Sequence, residues 1–459
     1  MCVFILTLKH KIDMQAYSSY NSTRQPLGAD VLCRAPFNNM YFNVHGHVGP
    51  CWLTLQPDES IGRKTIKEIW TGQWFTNIRK AIREENLGSY CSTCKKNIET
   101  GNHVSVLAKL YDLNYELSDY PVAMEFELSN ICNLECVMCK GELSSAIREK
   151  RENLPRLSTP YTDEFSEQLK EFLPHLKEAK FLGGEPFLIP VYYSIWDNII
   201  KINPHIKITI TTNGTVWNTR VKQILESLHV NIIMSIDSFN AQTYDSIRIG
   251  GNFSRVIENF EHFRNYCVSK NTYMGISINP LRKNWQELTA HVNFCNEKNV
   301  PLWFNTIVYP HREALWTMRA VDLKEIYEAL AQQKPEEWSG AGSKSVYENN
   351  LKNYQNLVEV QIKNWWNDAL KRERERANAI EQMNEEQIQV GLRSNIERSV
   401  LQDAYLSPTE REKTITSINK CLDEAKTKLS LRQWEELYTM PETEAILQIE
   451  GSLSLTSNI

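Results

Sequence analysis

Between about residues 120 and 318, short runs of alternating apolar and polar positions are separated by longer helical patterns. This order predicts a parallel sheet with crossover helices. Six strands are expected, over 122–128, 179–182, 206–212, 230–237, 274–279 and 302–309. In the first, Val122, Met124, Phe126 and Leu128 alternate with Glu125 and Glu127; the third sets Ile206, Ile208 and Ile210 against Lys207, Thr209 and Thr211. The fourth sets Val230, Ile232, Met234 and Ile236 against Ser235 and Asp237, and the fifth sets Met274, Ile276 and Ile278 against Ser277 and Asn279. Parallel strands covered on both faces read as near-continuous hydrophobic runs. These do not, which predicts a curved sheet with helices outside and a polar, ligand-holding interior, its working groups at the C-terminal strand ends.

The flanks read differently. Upstream, IKEIWTGQWFTNIRKAI predicts one amphipathic helix, and NVHGHVGP predicts a hairpin in which His45 and His47 are turn residues. Downstream of about 320, glutamate, lysine, arginine and glutamine dominate and heptad-like apolar positions recur, predicting helices, with an extended pair as one arrangement. WSGAGSKS, around Gly340 and Gly342, reads as a linker. KRERERANAI reads as a solvated helix face, because acidic residues alternate with the basic ones. The expected domains are an N-terminal extension (1–29), a small cysteine-bearing domain (30–118), the strand–helix domain (119–318) and a helical C-terminal region (319–459).

Composition narrows the class. Of 459 residues, 42% are hydrophobic and 23% charged, too apolar for a disordered chain. A net charge of −5 gives no reason to expect nucleic acid as a partner. No apolar run approaches the ~18 residues a bilayer crossing needs; Val3–Leu8 and Ile232–Ile236 are strand-sized. The N-terminal stretch is shorter than a secretory core of ~7–15 residues and lacks a preceding basic segment, so no membrane partner and a cytoplasmic location are expected.

The 11 cysteines carry the chemistry. In such a chain metal or catalytic use outranks a disulfide framework. Cys132, Cys136 and Cys139 form C-x3-C-x2-C in CNLECVMC. Three thiolates leave a four-iron cluster with one iron lacking a protein ligand. A structural zinc ion would want a fourth ligand close by, and none follows Cys139 closely. A second set is spread wider: Cys33, twelve residues, Gly46, four residues, Cys51, and then a C-x2-C at Cys91 and Cys94. Four thiolates can complete a cluster or an all-thiolate zinc site, with His45 and His47 near Cys51. Cys267 and Cys295 fall in helix-like stretches and Cys2 and Cys421 are isolated, so these four read as packed or terminal thiols.

The first cysteine set resembles the C-x3-C-x-φ-C motif of the radical SAM superfamily, with Met138 where φ is usually aromatic. The thioether can still pack on adenine. By this resemblance LGGEP, with Gly183, Gly184 and Glu185, corresponds to the motif that binds the amino group of S-adenosylmethionine (SAM), its glycines admitting a close backbone approach. Ser235 is implied as the ribose contact and Arg248 as the contact to the SAM carboxylate, with Thr212, Asn213, Asp237 and Asn279 lining the mouth. The second set resembles the twitch domain, a shortened SPASM domain: the position where a full SPASM domain continues with cysteine is Thr100. One auxiliary [4Fe-4S] cluster is therefore implied beside the [4Fe-4S] cluster with an open iron. In this family pairing the auxiliary domain normally follows the radical SAM domain; here it precedes it.

The implied fold is α/β: a partial (β/α)6 radical SAM barrel with a small N-terminal twitch/SPASM-like domain and a helical C-terminal region. The implied activity is reductive cleavage of SAM to a 5′-deoxyadenosyl radical that abstracts a substrate hydrogen, fed by a low-potential donor such as flavodoxin or ferredoxin. Enzymes with such auxiliary domains often modify peptides, which makes a peptide or protein the first expected substrate. Dehydrogenation or rearrangement of a small molecule such as a sugar or aminocyclitol is the runner-up. A non-catalytic electron carrier or redox sensor would need neither the open cluster position nor the GGEP loop. No catalytic side chain is assigned.

Overall fold

The computed structural model describes residues 14–24, 31–87, 90–103, 106–403, 406, 408–426 and 428–456. Cys2 and Val3–Leu8 lie outside the described residues. Residue contacts divide the chain into two compact units: Met1–Glu135, Lys140–Ser235 and Gly250–Met274 form one, and Cys136–Cys139, Ile236–Ile249 and Gly275–Ile459 the other.

In the first unit the strands are β1 (Asn39–Phe42), β2 (His47–Cys51), β3 (Thr54–Ser60), β4 (Ala123–Phe126), β5 (Glu178–Phe181), β6 (Lys207–Thr212) and β7 (Val230–Ser235). They are ordered β3-β2-β1-β4-β5-β6-β7. β1, β2 and β3 pair antiparallel, whereas β1 runs parallel to β4, with Tyr41 opposite Glu125, and β4 through β7 are parallel. Side-chain alternation sorts the two faces of these strands. Phe126 stacks between Phe42 and Phe181, with ring centroids 5.5 and 5.0 Å away, and Phe165 of the helix Asp163–Phe172 meets Phe42 edge-on. The opposite face is polar, as its alternation requires: Asn39 Nδ2 donates to Glu125 Oε1 at 3.1 Å, Lys180 lies 3.8 Å from Glu125, and the Tyr41 hydroxyl donates to Glu127 Oε2 at 2.5 Å.

The first expected strand is shorter than its apolar pattern. The Leu128 N–H leaves the ladder to bond the Tyr192 hydroxyl at 3.0 Å, and that hydroxyl lies 2.8 Å from the Phe126 carbonyl and 2.7 Å from that of Leu182. One buried side chain thus ends two neighbouring strands. The single helix expected in IKEIWTGQWFTNIRKAI is two, Ile66–Trp70 and Gln73–Arg83. Thr65 and Glu68 form a capping box at the start of the first, and Gly72 caps the second while its α-carbon packs so closely on Glu68 that an added Cβ would meet that carbonyl at 2.6 Å.

In the second unit β8 (Met274–Ile278, in this unit from Gly275 on) pairs parallel with β9 (Leu302–Phe304). The sixth expected strand stops early because Phe304 already faces Ile278, the last residue of β8. Beyond it run the helices Ala320–Gln332, Lys344–Gln355, Lys363–Ile380, Glu385–Gln402, Pro408–Ala425, Leu431–Thr439 and Glu442–Thr456. A π-helical segment, Asn356–Ile362, joins the second of these to the third without a break. Ile388, Leu392, Ile396, Leu422, Trp434 and Leu437 are among the side chains of a core belonging to the last four. KRERERANAI lies on a mostly exposed helix, as expected, except that Arg376 is anchored to Glu442 and to the Met440 carbonyl. No helix among the described residues is long and apolar enough to cross a membrane.

The α/β class expected from the sequence holds, with parallel strands alternating with helices and a helical C-terminal region.

Candidate active site

The chain leaves β4 into the loop that carries the C-x3-C-x2-C cysteines. Its first half, in the first unit, is pinned from behind by Ser144 and Ser145. The Cys132 N–H donates to Ser145 Oγ at 3.1 Å, the Ser144 hydroxyl donates to the Leu134 carbonyl at 2.7 Å, and Asn130 Nδ2 to the Gly141 carbonyl at 2.8 Å. Asn213, just past β6, directs its Nδ2 toward Cys132 Sγ at 3.8 Å and toward Asn133 Oδ1 at 3.1 Å. The sequence marks Asn213 only as a turn former lining the mouth, and TTNG, whose threonines end β6, is the signal that places it there.

The GGEP segment holds the same loop. Gly183 and Gly184 have φ of +75° and +37°, and a Cβ on Gly184 would stand 2.2 Å from the Ile131 carbonyl oxygen. The Glu185 N–H donates to that carbonyl at 2.7 Å. The glycines are thus required first by the approach of the chain's own cysteine loop. Glu185 is fully buried. Its Oε1 accepts from Thr212 Oγ1 at 2.8 Å and the Phe187 N–H at 3.1 Å, and its Oε2 from the Asn213 N–H at 2.7 Å. Its carboxylate is therefore occupied in positioning Asn213 behind Cys132. Glu185→Gln should turn one of these acceptors into a donor facing a donor, at a cost of about 1–3 kcal/mol. The expected result is a lower thermal midpoint together with weaker iron retention; an unchanged midpoint with full iron would remove this role. Ser235 closes β7 half-buried.

In the second unit Cys136, Met138, Cys139 and Arg248 come together. The Val137 N–H bonds the Ile247 carbonyl at 2.9 Å, the Cys139 N–H that of Cys136 at 3.1 Å, and Met138 packs against a cluster containing Val137, Ile247 and Leu281. Arg248 follows the helix Ala241–Ile247 and is only 6% exposed. Its Nη2 lies 2.7 Å from Asp237 Oδ2 and its Nη1 4.0 Å from Cys136 Sγ, while its buried Nε has no hydrogen-bond partner among the described residues. Burial works to lower the guanidinium's pKa, but the charges of Asp237 and Cys136 outweigh it and the net shift is upward. Asp237, expected as a lining residue, is buried; its Oδ1 accepts from the Asn279 N–H and Nδ2, at 2.8 and 2.9 Å.

The other four cysteines line one cavity in the first unit, with Leu32, Thr54 and Tyr111 among its walls. Gly46, at φ +85°, turns β1 into β2 and so brings Cys51 round. Cys91 caps the helix Ser92–Glu99, which carries Cys94. Burial raises the pKa of all four thiols, that of Cys91 to about 12, and in Cys33 and Cys91 the neighbouring sulfurs add to the rise. Backbone N–H groups face the sulfurs nonetheless: Ala35 toward Cys33, Leu53 and Thr54 toward Cys51, Leu107 and Ala108 toward Cys94. Among the described residues no three Cys, His, Asp or Glu side chains are gathered at single-ion spacing. His45 sits in the β1–β2 turn, bonded to Glu142 at 2.7 Å. Cys267 and Cys295 are buried in helices, as packed thiols should be.

Residues 126–295 match the Radical SAM superfamily, and residues 33–95 match SPASM, an iron–sulfur cluster-binding domain. The chain carries a radical SAM domain and a SPASM domain. Among its relatives are a GTP 3′,8-cyclase of Limosilactobacillus fermentum, 25% identical over 49% of this chain and 65% of its own, and the mycofactocin maturase MftC of Mycolicibacterium smegmatis, 28% identical over 37% of this chain and 40% of its own. The chain spans less than two thirds of the length of these relatives. Streptococcus suis SuiB bound to S-adenosylmethionine is a solved structure that matches at 19% identity with a TM-score of 0.35, covering 57% of this chain and 59% of its own.

A radical SAM domain implies a [4Fe-4S] cluster and SAM, and a SPASM domain implies auxiliary iron–sulfur binding. The side chains at the two sites fit both groups. Four half-buried thiols around one cavity that would repel one another when ionised, with backbone N–H groups aimed at three of them, are a donor set suited to a polycationic centre. The buried Nε of Arg248, without a hydrogen-bond partner among the described residues, is a donor suited to an anionic ligand group.

Proposed function

We propose that this protein is a cytoplasmic radical SAM enzyme that modifies a peptide or protein. In this reading Cys132, Cys136 and Cys139 hold the open cluster, and Cys33, Cys51, Cys91 and Cys94 hold one auxiliary cluster. When bound, the open cluster and SAM supply reductive cleavage of SAM to a 5′-deoxyadenosyl radical that takes a hydrogen atom from the substrate. The chain's own residues bind and orient. By the family resemblance the backbone at Gly183 and Gly184 would receive the SAM amino group, Met138 would pack on the adenine, Ser235 would bond the ribose, and Arg248 would contact the SAM carboxylate. Glu185 acts from behind, through Thr212 and Asn213. A low-potential donor such as flavodoxin or ferredoxin supplies the electron.

The observation that carries this reading is the pairing, on one chain, of the three-cysteine loop and GGEP segment with four cysteines around a separate cavity. An electron carrier has use for the second but not the first. Similarity to a mycofactocin maturase supports a maturation reaction, and similarity to GTP 3′,8-cyclases supports small-molecule chemistry as the second reading. Anaerobic reconstitution with iron, sulfide, SAM and dithionite should yield 5′-deoxyadenosine, measured by chromatography. No 5′-deoxyadenosine with any of several low-potential reductants would leave an iron–sulfur carrier or sensor. A short precursor-peptide gene beside this one favours the peptide, and sugar-biosynthesis genes favour the small molecule.

A further inference from the structure

Arg248 and Asp237 are buried together, 6% and 0% exposed, with 2.7 Å between Nη2 and Oδ2. A buried ion pair is weak evidence for stability, because desolvation consumes most of the Coulomb gain. This pair is also held rigidly. Asp237 Oδ1 is fixed by the Asn279 N–H and Nδ2, and its backbone carbonyl accepts from the fully buried Asn284 Nδ2 at 2.7 Å. The Arg248 N–H is fixed on the Tyr244 carbonyl at 2.7 Å. The remaining arm of the guanidinium, Nη1, stands 4.0 Å from Cys136 Sγ. A fixed positive charge therefore stands 4.0 Å from one sulfur with a fixed negative charge paired to its other arm.

We propose that the Arg248–Asp237 pair sets the reduction potential of the iron–sulfur centre at Cys136, the guanidinium favouring the reduced centre and the carboxylate moderating it. The inference rests on the reading that Cys136 is a cluster ligand. Cluster potentials follow net charge and hydrogen bonds to the sulfurs. A cation beside a ligating sulfur stabilises the more negative, reduced state and raises the potential; a neighbouring carboxylate offsets part of that. This role is separate from contact with the SAM carboxylate, for which the Nε remains available.

The test is an anaerobic redox titration of the reconstituted full chain, followed by electron paramagnetic resonance before SAM is added. The signal that changes shape on adding SAM identifies the open-site centre. Arg248→Gln should lower its midpoint enough to cut the reduced fraction about tenfold at a fixed potential, which is about 59 mV for one electron. Asp237→Asn should move it the opposite way. Arg248→Lys, which keeps the charge and loses the fork, should stay within about threefold of the parent. If Asp237→Asn does not fold, the two Arg248 variants decide. An intact signal with an unmoved midpoint in Arg248→Gln overturns the proposal, even where SAM affinity falls. Absence of any SAM-responsive signal in the unaltered protein overturns instead the cluster assignment beneath it.

Discussion

Alanine at Cys132, Cys136 and Cys139 together should reduce 5′-deoxyadenosine formation to background while about half of the iron remains. The three sulfurs supply all the protein ligands of the proposed open cluster, whereas Cys33, Cys51, Cys91 and Cys94 line a different cavity with its own backbone donors. Losing one set should therefore leave the other loaded. Iron and sulfide analysis alongside a SAM cleavage assay reads both outcomes. Cleavage that persists in the triple variant, or loss of all iron with the fold retained, would undo the division of labour between the two sets.

Gly184→Val should do more than obstruct a ligand. A Cβ there would lie 2.2 Å from the Ile131 oxygen, 2.8 Å from its carbonyl carbon and 2.9 Å from the carbonyl carbon of Asn130, all backbone atoms. A β-branched residue at φ +37° adds strain of roughly 1–3 kcal/mol. The nearest thing that can yield is the loop itself, one residue before Cys132. Iron content at the open site and SAM affinity should fall together, by tenfold or more, as read by metal analysis and calorimetry. A variant with parental iron and weakened SAM binding would mean that the loop absorbs the clash. A variant with both intact would make the segment an ordinary turn.

Much of this was legible in the chain. Cysteine spacing at 132–139 and at 33–94 pointed to the two domains that the family matches bear out, and alternation marked β4, β6, β7 and β8, since a half-polar face leaves a strong period of two. β1 was not legible, because NMYF is four residues long and its partner is the distant AMEF of β4. Pairings over such separations leave no local pattern. Gly72 could have been read as a break, yet the flanking Ile and Trp positions kept helical spacing across it. In the site, residue types were readable and engagement was not. Glu185 was expected at the cofactor, but Thr212, Phe187 and Asn213 hold its carboxylate. Asp237 was expected to line the mouth, and it pairs with Arg248, eleven positions along the chain.

The parallel seam between β1 and β4 has a consequence for solubility. Without β1, the Glu125-bearing strand would present a bare row of N–H and C=O groups, a template for pairing with other chains. The seam moves the exposed border to β3, where Gln56, Pro57 and Asp58 occupy the middle of the strand and its register with β2 shifts on either side of Val48. Proline, charge and irregular pairing all discourage a further strand from adding there. The cysteine-bearing N-terminal segment therefore also serves as the sheet's guard against aggregation.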